Sequence, residues 1–262
     1  MPFVDAGGTR IFHRFDGSPE KPVLVLSNSL GTHLGMWDAQ MPAFAERYRV
    51  LRYDSRGHGQ SAVPPGPYRI EDLGRDLLAL LDALGLSRVH FCGLSKGGMV
   101  GMWLATNAPD RVERLVLCNT SAYLGPPELW KARIEAVRAS GMQAVVPQVI
   151  ERWLTAEFRA RAPEAVEKVR RMLLATPADG YAACCAAIRD MDQRESIRAI
   201  RAPTQVVVGK SDPATPPEHG RQIAERIRGA KVVELPAAHL SNVEAAEGFT
   251  AAVLEFLGAR GE

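Results

Sequence analysis

The sequence has no Cys-x-x-Cys pair, no long uninterrupted apolar run, no internal repeat and no low-complexity tract. Each absence removes a class of protein. The four cysteines, Cys92, Cys118, Cys184 and Cys185, lack the spacing of a metal or redox pair. The first two sit inside apolar runs, so they read as reduced thiols packed like small hydrophobes. No stretch reaches the ~18 apolar residues that a membrane-spanning helix needs. The opening MPFVDAGGTRIFHRF has no basic segment leading into an apolar one, as an export signal would have. A cytoplasmic protein without a membrane partner is therefore expected. Dense stripes of one charge are also missing. Lys+Arg 32 against Asp+Glu 30 leaves +2, and no basic run is concentrated enough to neutralise a phosphate backbone. A nucleic-acid partner is excluded on that ground.

What is present is ordinary globular chemistry. The 262 residues are 46% hydrophobic and 24% charged. That composition excludes a mainly disordered chain and allows one large α/β domain with an insertion, or two small domains. Short β-branched runs recur at Arg10–Phe15, Val23–Ser27, Val50–Tyr53, Val89–Gly93, Leu115–Asn119, Thr204–Val208 and Val232–Leu235. Several are apolar almost throughout, as strands covered on both faces should be. Helical patterns lie between them; Asp72–Leu84 puts Leu73, Leu77, Leu80, Leu81 and Leu84 on one face. The alternation predicts a mostly parallel, doubly wound sheet.

Between about residues 122 and 199 the alternation stops. Four helical stretches follow one another there, around Trp130, Trp153, Val169 and Tyr181, bounded by Gly125-Pro126-Pro127 and Arg201-Ala202-Pro203. The expected organisation is an α/β core formed by residues 1–121 and 200–262, with residues 122–199 as a helical cap over the carboxyl edge of the sheet.

The sharpest motif is Gly93-Leu94-Ser95-Lys96-Gly97, between the apolar run ending at Cys92 and a helical pattern beginning at Met99. A G-x-S-x-G segment between strand and helix forms a turn so tight that only small residues fit beside the serine, and it leaves the hydroxyl exposed at the sheet edge. An ordinary serine is a poor nucleophile and needs a base, which needs an orienting acid. Asp212, in the loop after Thr204–Val208, and His239, in the loop after Val232–Leu235, supply both in a productive order along the chain. Acyl transfer also needs donors aimed at a developing oxyanion. The backbone N–H of Lys96 is one, and that of Leu30, in Asn28-Ser29-Leu30-Gly31-Thr32 after the second strand, is the other. Neither role depends on the side chain. Of the remaining histidines, His13 and His90 lie in strands, His219 opens a helix, and His58 belongs to a glycine-rich tight loop, so all four read as structural. His33 reads as structural too, and is the one of these best placed to approach the pocket, because it follows that second strand.

Together these residues resemble the α/β-hydrolase superfamily over nearly the whole chain. Within it, Ser27-Asn28-Ser29-Leu30-Gly31-Thr32, Asp54-Ser55-Arg56-Gly57-His58-Gly59-Gln60-Ser61 and Gly93-Leu94-Ser95-Lys96-Gly97-Gly98 resemble the 3-oxoadipate enol-lactonases. The first segment replaces the commoner His-Gly-x oxyanion loop by Asn-Ser-Leu. The resemblance implies a serine hydrolase that opens an enol-lactone in bacterial aromatic catabolism, with Ser95, Asp212 and His239 as triad, Leu30 and Lys96 as oxyanion donors, and no metal or organic cofactor. It also implies a small-molecule lactone substrate with a free carboxylate, which a cation in an apolar pocket should meet. Arg133, three residues after Trp130 and so on the same helix face, is the candidate, with Trp130 or Trp153 walling the pocket. Fold and triad alone leave a general carboxylesterase, thioesterase or carbon–carbon hydrolase open, and, more remotely, a receptor or scaffold that no longer turns over. The serine at position 95 excludes a dehalogenase with an aspartate at the elbow. A homo-oligomer also stays open.

Overall fold

A computed structural model describes residues 2–259 of the chain. Met1 and residues 260–262, the extreme ends of the expected core segments, lie outside the described residues. The frame is an eight-stranded sheet: β1 (Phe3–Ala6), β2 (Thr9–Asp16), β3 (Val23–Ser27), β4 (Arg49–Tyr53), β5 (Val89–Leu94), β6 (Val112–Cys118), β7 (Thr204–Gly209) and β8 (Lys231–Leu235). The spatial order is β1-β2-β4-β3-β5-β6-β7-β8. β1 and β2 are antiparallel to their neighbours, and from β4 to β8 all pairs are parallel. β3, β5 and β7 are buried almost end to end, which is why they read as largely apolar runs, whereas β8 is an edge strand with Lys231 and Val232 exposed.

Two expectations need correction. β1 has no counterpart among the expected strands; its four residues are too few to display an alternation. β6 begins at Val112 rather than Leu115: the half-buried Glu113 and Arg114 interrupt the apolar pattern, and the pairing to β5 runs on through a register shift that leaves Glu113 unpaired between Val112 and Arg114.

The helices are α1 (Met41–Arg47), α2 (Ile70–Ala83), α3 (Lys96–Asn107), α4 (Pro127–Ser140), α5 (Val146–Trp153), α6 (Ala156–Arg161), α7 (Pro163–Ala175), α8 (Ala178–Asp190), α9 (Pro217–Arg226), α10 (Ser241–Glu244) and α11 (Ala246–Gly258). Proline stands in the first turn of α4, α5, α7 and α9, where its fixed φ suits the helix and its missing N–H costs nothing. α2 starts where Asp72 accepts from the Arg69 N–H at 2.8 Å. Five helices, α4 to α8, fill the segment between β6 and β7, where four stretches are expected; the additional one, α6, is six residues long and capped by Thr155, which accepts from the Phe158 N–H. Among the described residues no helix is long and apolar enough to cross a membrane.

The strand order reverses beside β3: the chain leaves it for β4 on one side and returns to β5 on the other. Connections diverge at such a point and open a crevice at the carboxyl ends of the strands. The loop after β3 and the turn after β5 face each other there, which brings Leu30 and Ser95 to one place.

Candidate active site

Ser95 joins β5 directly to α3 at φ 56°, ψ −116°. A non-glycine residue in that region carries strain of about 1–3 kcal/mol, so the surroundings must hold it. They do so at both peptide groups: the Ser95 N–H donates to the Cys118 carbonyl at 2.9 Å, and the Thr120 hydroxyl donates to the Ser95 carbonyl at 2.7 Å. The flanking glycines are required by space. A Cβ at Gly93 would lie 2.3 Å from the Gly97 carbonyl oxygen, and one at Gly97 would lie 2.1 Å from that of Ser27.

Asp212, in the loop after β7, is buried among donors. Its Oδ1 accepts from the N–H groups of Ala214 (2.8 Å) and Thr215 (2.9 Å). Its Oδ2 accepts from His239 Nδ1 (2.8 Å), the Thr215 hydroxyl (2.7 Å) and Asn119 Nδ2 (3.0 Å). Burial pushes this carboxyl up, but adjacent His239 and the hydrogen bonds from Thr215 and Asn119 outweigh it and hold the group at about 2. An ionised acceptor at Nδ1 fixes the proton there and leaves Nε2 of His239 bare. Trp153 packs against the imidazole with ring centroids 5.5 Å apart, and its carbonyl accepts from the Leu240 N–H at 3.1 Å. α5 thus clamps the histidine loop from above.

Ser95 and His239 open into one cavity of about 240 Å³ between the sheet edge and the helices α4, α5 and α8. Leu30, Trp130, Arg133 and Trp153 line it as well. Lys96 does not: its side chain turns away and is buried, with Nζ donating to Ser55 Oγ at 2.8 Å. Its N–H nevertheless starts α3, beside the positive end of the helix. Among the described residues, neither the Lys96 nor the Leu30 N–H donates a hydrogen bond. Trp130 is held by its Nε1 donating to the Leu124 carbonyl at 2.7 Å, and the Arg133 guanidinium lies over its ring at 5.2 Å. Arg133 is half-buried and has no carboxylate partner among the described residues.

Expectations for two single residues change, and a third residue of the lining was not among the candidates. His33 is not in the cavity; it caps a short turn by accepting from the Gly35 N–H at 3.0 Å and lines a separate surface groove beside α7. His219 does line the cavity, from the first turn of α9, with its pKa lowered by burial despite the opposing charge of Asp212. Arg152 is a second arginine of the lining; burial and then the charge of Arg133 lower its pKa. Arg152 was beyond reach because α5 carries no motif. Asn119 and Thr215, which complete the shell of Asp212, sit at strand and loop ends where side-chain amides and hydroxyls are commonplace.

A serine at a strained strand-to-helix turn, with a buried Asp–His pair on the next loops of a parallel sheet, defines an α/β hydrolase. Residues 22–246 match the family model described as the alpha/beta hydrolase fold, and the chain belongs to that family. Within it the chain is similar to 3-oxoadipate enol-lactonase 2 of Acinetobacter baylyi, at 41% identity over 90% of this chain and 89% of that protein. Its structure is similar to that of the enol-lactonase from Burkholderia xenovorans, with a TM-score of 0.97 and 45% identity over 98% of this chain and 100% of the other. A thermophilic esterase from Thermogutta terrifontis, solved with malate bound, follows the same fold with a TM-score of 0.89 and 31% identity over 98% of this chain and 96% of the other.

Proposed function

We propose that this chain is a serine hydrolase that opens the ring of 3-oxoadipate enol-lactone to give 3-oxoadipate. The observation that carries the reading is the cavity holding Ser95, His239 and the Arg133 guanidinium, which has no carboxylate partner among the described residues, in a chain this similar to named enol-lactonases. Ser95 Oγ attacks the lactone carbonyl while His239 Nε2 takes its proton and Asp212 steadies the resulting imidazolium. The oxyanion is received by the N–H groups of Leu30 and Lys96. Collapse breaks the ring C–O bond and expels an enolate, which takes the proton from His239 and tautomerises to the ketone. Water, deprotonated by His239, then releases the acyl group and the proton returns to Ser95. Every proton is accounted for by one imidazole, so the scheme calls on no metal or organic cofactor.

Arg133 meets the free carboxylate of the substrate, Trp130 and Trp153 supply the apolar walls, and the block from residue 122 to 199 serves as the cap that closes over the ring. The location that goes with this reading is the cytoplasm, with a small molecule as the partner and no nucleic acid.

Steady-state hydrolysis of 3-oxoadipate enol-lactone beside a neutral aryl acetate tests the reading. A marked preference for the lactone supports it; Ser95-dependent ester cleavage without lactone activity would leave a serine hydrolase of another substrate. Arg133→Ala sharpens the test. A hydrogen-bonded charge pair is worth about 1.5–3 kcal/mol, so kcat/KM for the lactone should fall by about 10- to 100-fold, mainly through KM. The aryl acetate has no carboxylate to lose and should stay within about threefold. Equal losses on both substrates would remove Arg133 from carboxylate recognition.

A further inference from the structure

The loop after β4, Asp54-Ser55-Arg56-Gly57-His58-Gly59-Gln60-Ser61, has no part in the proposed reaction, yet Asp54, Ser55, Gly57, His58 and Ser61 are buried while Gly59 and Gln60 reach the surface. His58 is fully enclosed, at 0% exposure. Its Nε2 accepts from the Gly31 N–H at 2.9 Å, and its Nδ1 faces the Arg56 carbonyl at 3.2 Å. Only one neutral tautomer satisfies both contacts: a proton on Nδ1, donated to Arg56, and a bare lone pair on Nε2. Burial, reinforced by the charge of Lys96, keeps the ring neutral and its pKa well below the ordinary value, against the opposing bond to Arg56. α8 packs directly on this loop. Cys184 Sγ of α8 lies 3.9 Å from Nδ1, and a Cβ at Gly180 would come 2.1 Å from the Gly57 carbonyl oxygen.

Gly31 is the residue next to Leu30, and it is held at both of its peptide groups. While His58 takes its N–H, the Thr176 hydroxyl between α7 and α8 donates to its carbonyl at 3.0 Å. Gly31 adopts φ +77°, so the loop reverses direction at this point, and its direction sets where the preceding N–H groups aim. The same His58-bearing loop also holds the other donor residue, because Ser55 Oγ accepts from Lys96 Nζ at 2.8 Å. One loop therefore braces Lys96 and the immediate neighbour of Leu30, the two residues proposed as oxyanion donors.

We infer that His58 is a positioning residue for the oxyanion hole: its Nε2 lone pair fixes Gly31 and thereby aims the Leu30 N–H at the developing oxyanion. The inference rests on the proposed acyl-transfer reading and adds to it the group that orients one of its donors. His58 touches neither substrate nor reacting atoms. Its contribution should be felt where charge develops on the oxygen and not in ground-state binding.

The test compares His58→Asn with His58→Gln. Asparagine keeps a polar group near Nδ1 but has nothing at the Nε2 position, whereas glutamine can present Oε1 there. Losing an oxyanion donor outright costs about 10²–10³ in kcat, so misaiming one should cost H58N about 10- to 100-fold, with KM for an aryl acetate within about threefold. Affinity for phenylboronic acid, whose adduct with Ser95 places an oxygen in the oxyanion position, should fall by the same factor as kcat. H58Q should recover most of both. Unchanged kcat in H58N, an H58Q as weak as H58N, or parallel losses in KM and kcat without loss of boronate affinity would overturn the inference. Nitrogen-15 NMR of the wild-type imidazole decides it even where a variant does not fold: a proton on Nδ1 and a bare Nε2 are expected, and the reverse tautomer sinks the idea. If wild-type hydrolysis instead survives in Ser95→Ala, the acyl-transfer reading itself has failed, which none of the His58 outcomes would imitate.

Discussion

Ser95→Ala is expected to lower kcat by about 10⁵- to 10⁶-fold on lactone and aryl ester alike, the scale seen when a triad nucleophile is removed and only binding and oxyanion stabilisation remain. Among the described residues, Thr215 carries the other hydroxyl on the cavity lining, and it cannot substitute: its oxygen lies 2.7 Å from Asp212 Oδ2 and 3.2 Å from His239 Nδ1, on the far side of the imidazole from the bare Nε2. The loss should fall in kcat with binding retained, because Ser95 supplies a bond that exists only after the ground state. Stability tells the two roles of the position apart. The strain at φ 56° belongs to the backbone, so alanine keeps it and the Tm of Ser95→Ala should stay close to wild type. Ser95→Gly, equally inactive, should melt a few degrees higher, because glycine adopts that φ without the steric cost. Activity within tenfold of wild type in Ser95→Ala would remove the covalent mechanism. A Tm for Ser95→Gly below that of Ser95→Ala would remove the strain.

The parts of this site legible in the sequence are those where one position admits one kind of residue. Gly93 and Gly97 have backbone oxygens where a Cβ would go, so the turn leaves a pattern that needs no structure to be seen. β3, β5 and β7 are covered on both faces and so print as apolar runs with nearly their true limits. What stayed hidden are roles created by convergence. Asn119 donates to Asp212 across 93 positions of sequence, and Thr176 reaches Gly31 across 145. Neither residue type is unusual where it stands. Arg152 and Arg133 are two among many arginines between β6 and β7, and only the path of α4 and α5 over the sheet edge makes them neighbours. His33, structural as read, shows the converse. Position after β3 is right for the pocket, but the imidazole is used by its own next turn, where it caps the Gly35 N–H. Sequence distance to a site is informative; the direction of a side chain is decided by the nearest unsatisfied donor.

That same accounting of donors makes Asp212→Asn the second most damaging change. Five donors converge on the carboxylate: two N–H groups on Oδ1, and His239, Thr215 and Asn119 on Oδ2. An amide has one oxygen and one NH₂, whereas the carboxylate accepts on both sides. With NH₂ toward His239, the imidazole must accept at Nδ1 and carry its proton on Nε2, so it presents no base to Ser95. With NH₂ toward Ala214 and Thr215, two N–H groups lose their acceptor and the imidazolium loses its counter-charge. Either way kcat should fall by about 10⁴-fold, as wrong-tautomer triads do, and the unpaired donors should destabilise the fold by about 1–3 kcal/mol. The stability difference should also depend on pH with a definite sign. A carboxyl held at about 2, below its ordinary 3.8, adds stability that is whole above about pH 4 and drains as pH falls toward 2. The Tm gap between wild type and Asp212→Asn should therefore be constant from pH 7 to about pH 5 and narrow below pH 4. A gap that widened on acidification would mean that the carboxyl binds its proton more readily folded than unfolded, and that burial rather than His239, Thr215 and Asn119 governs it.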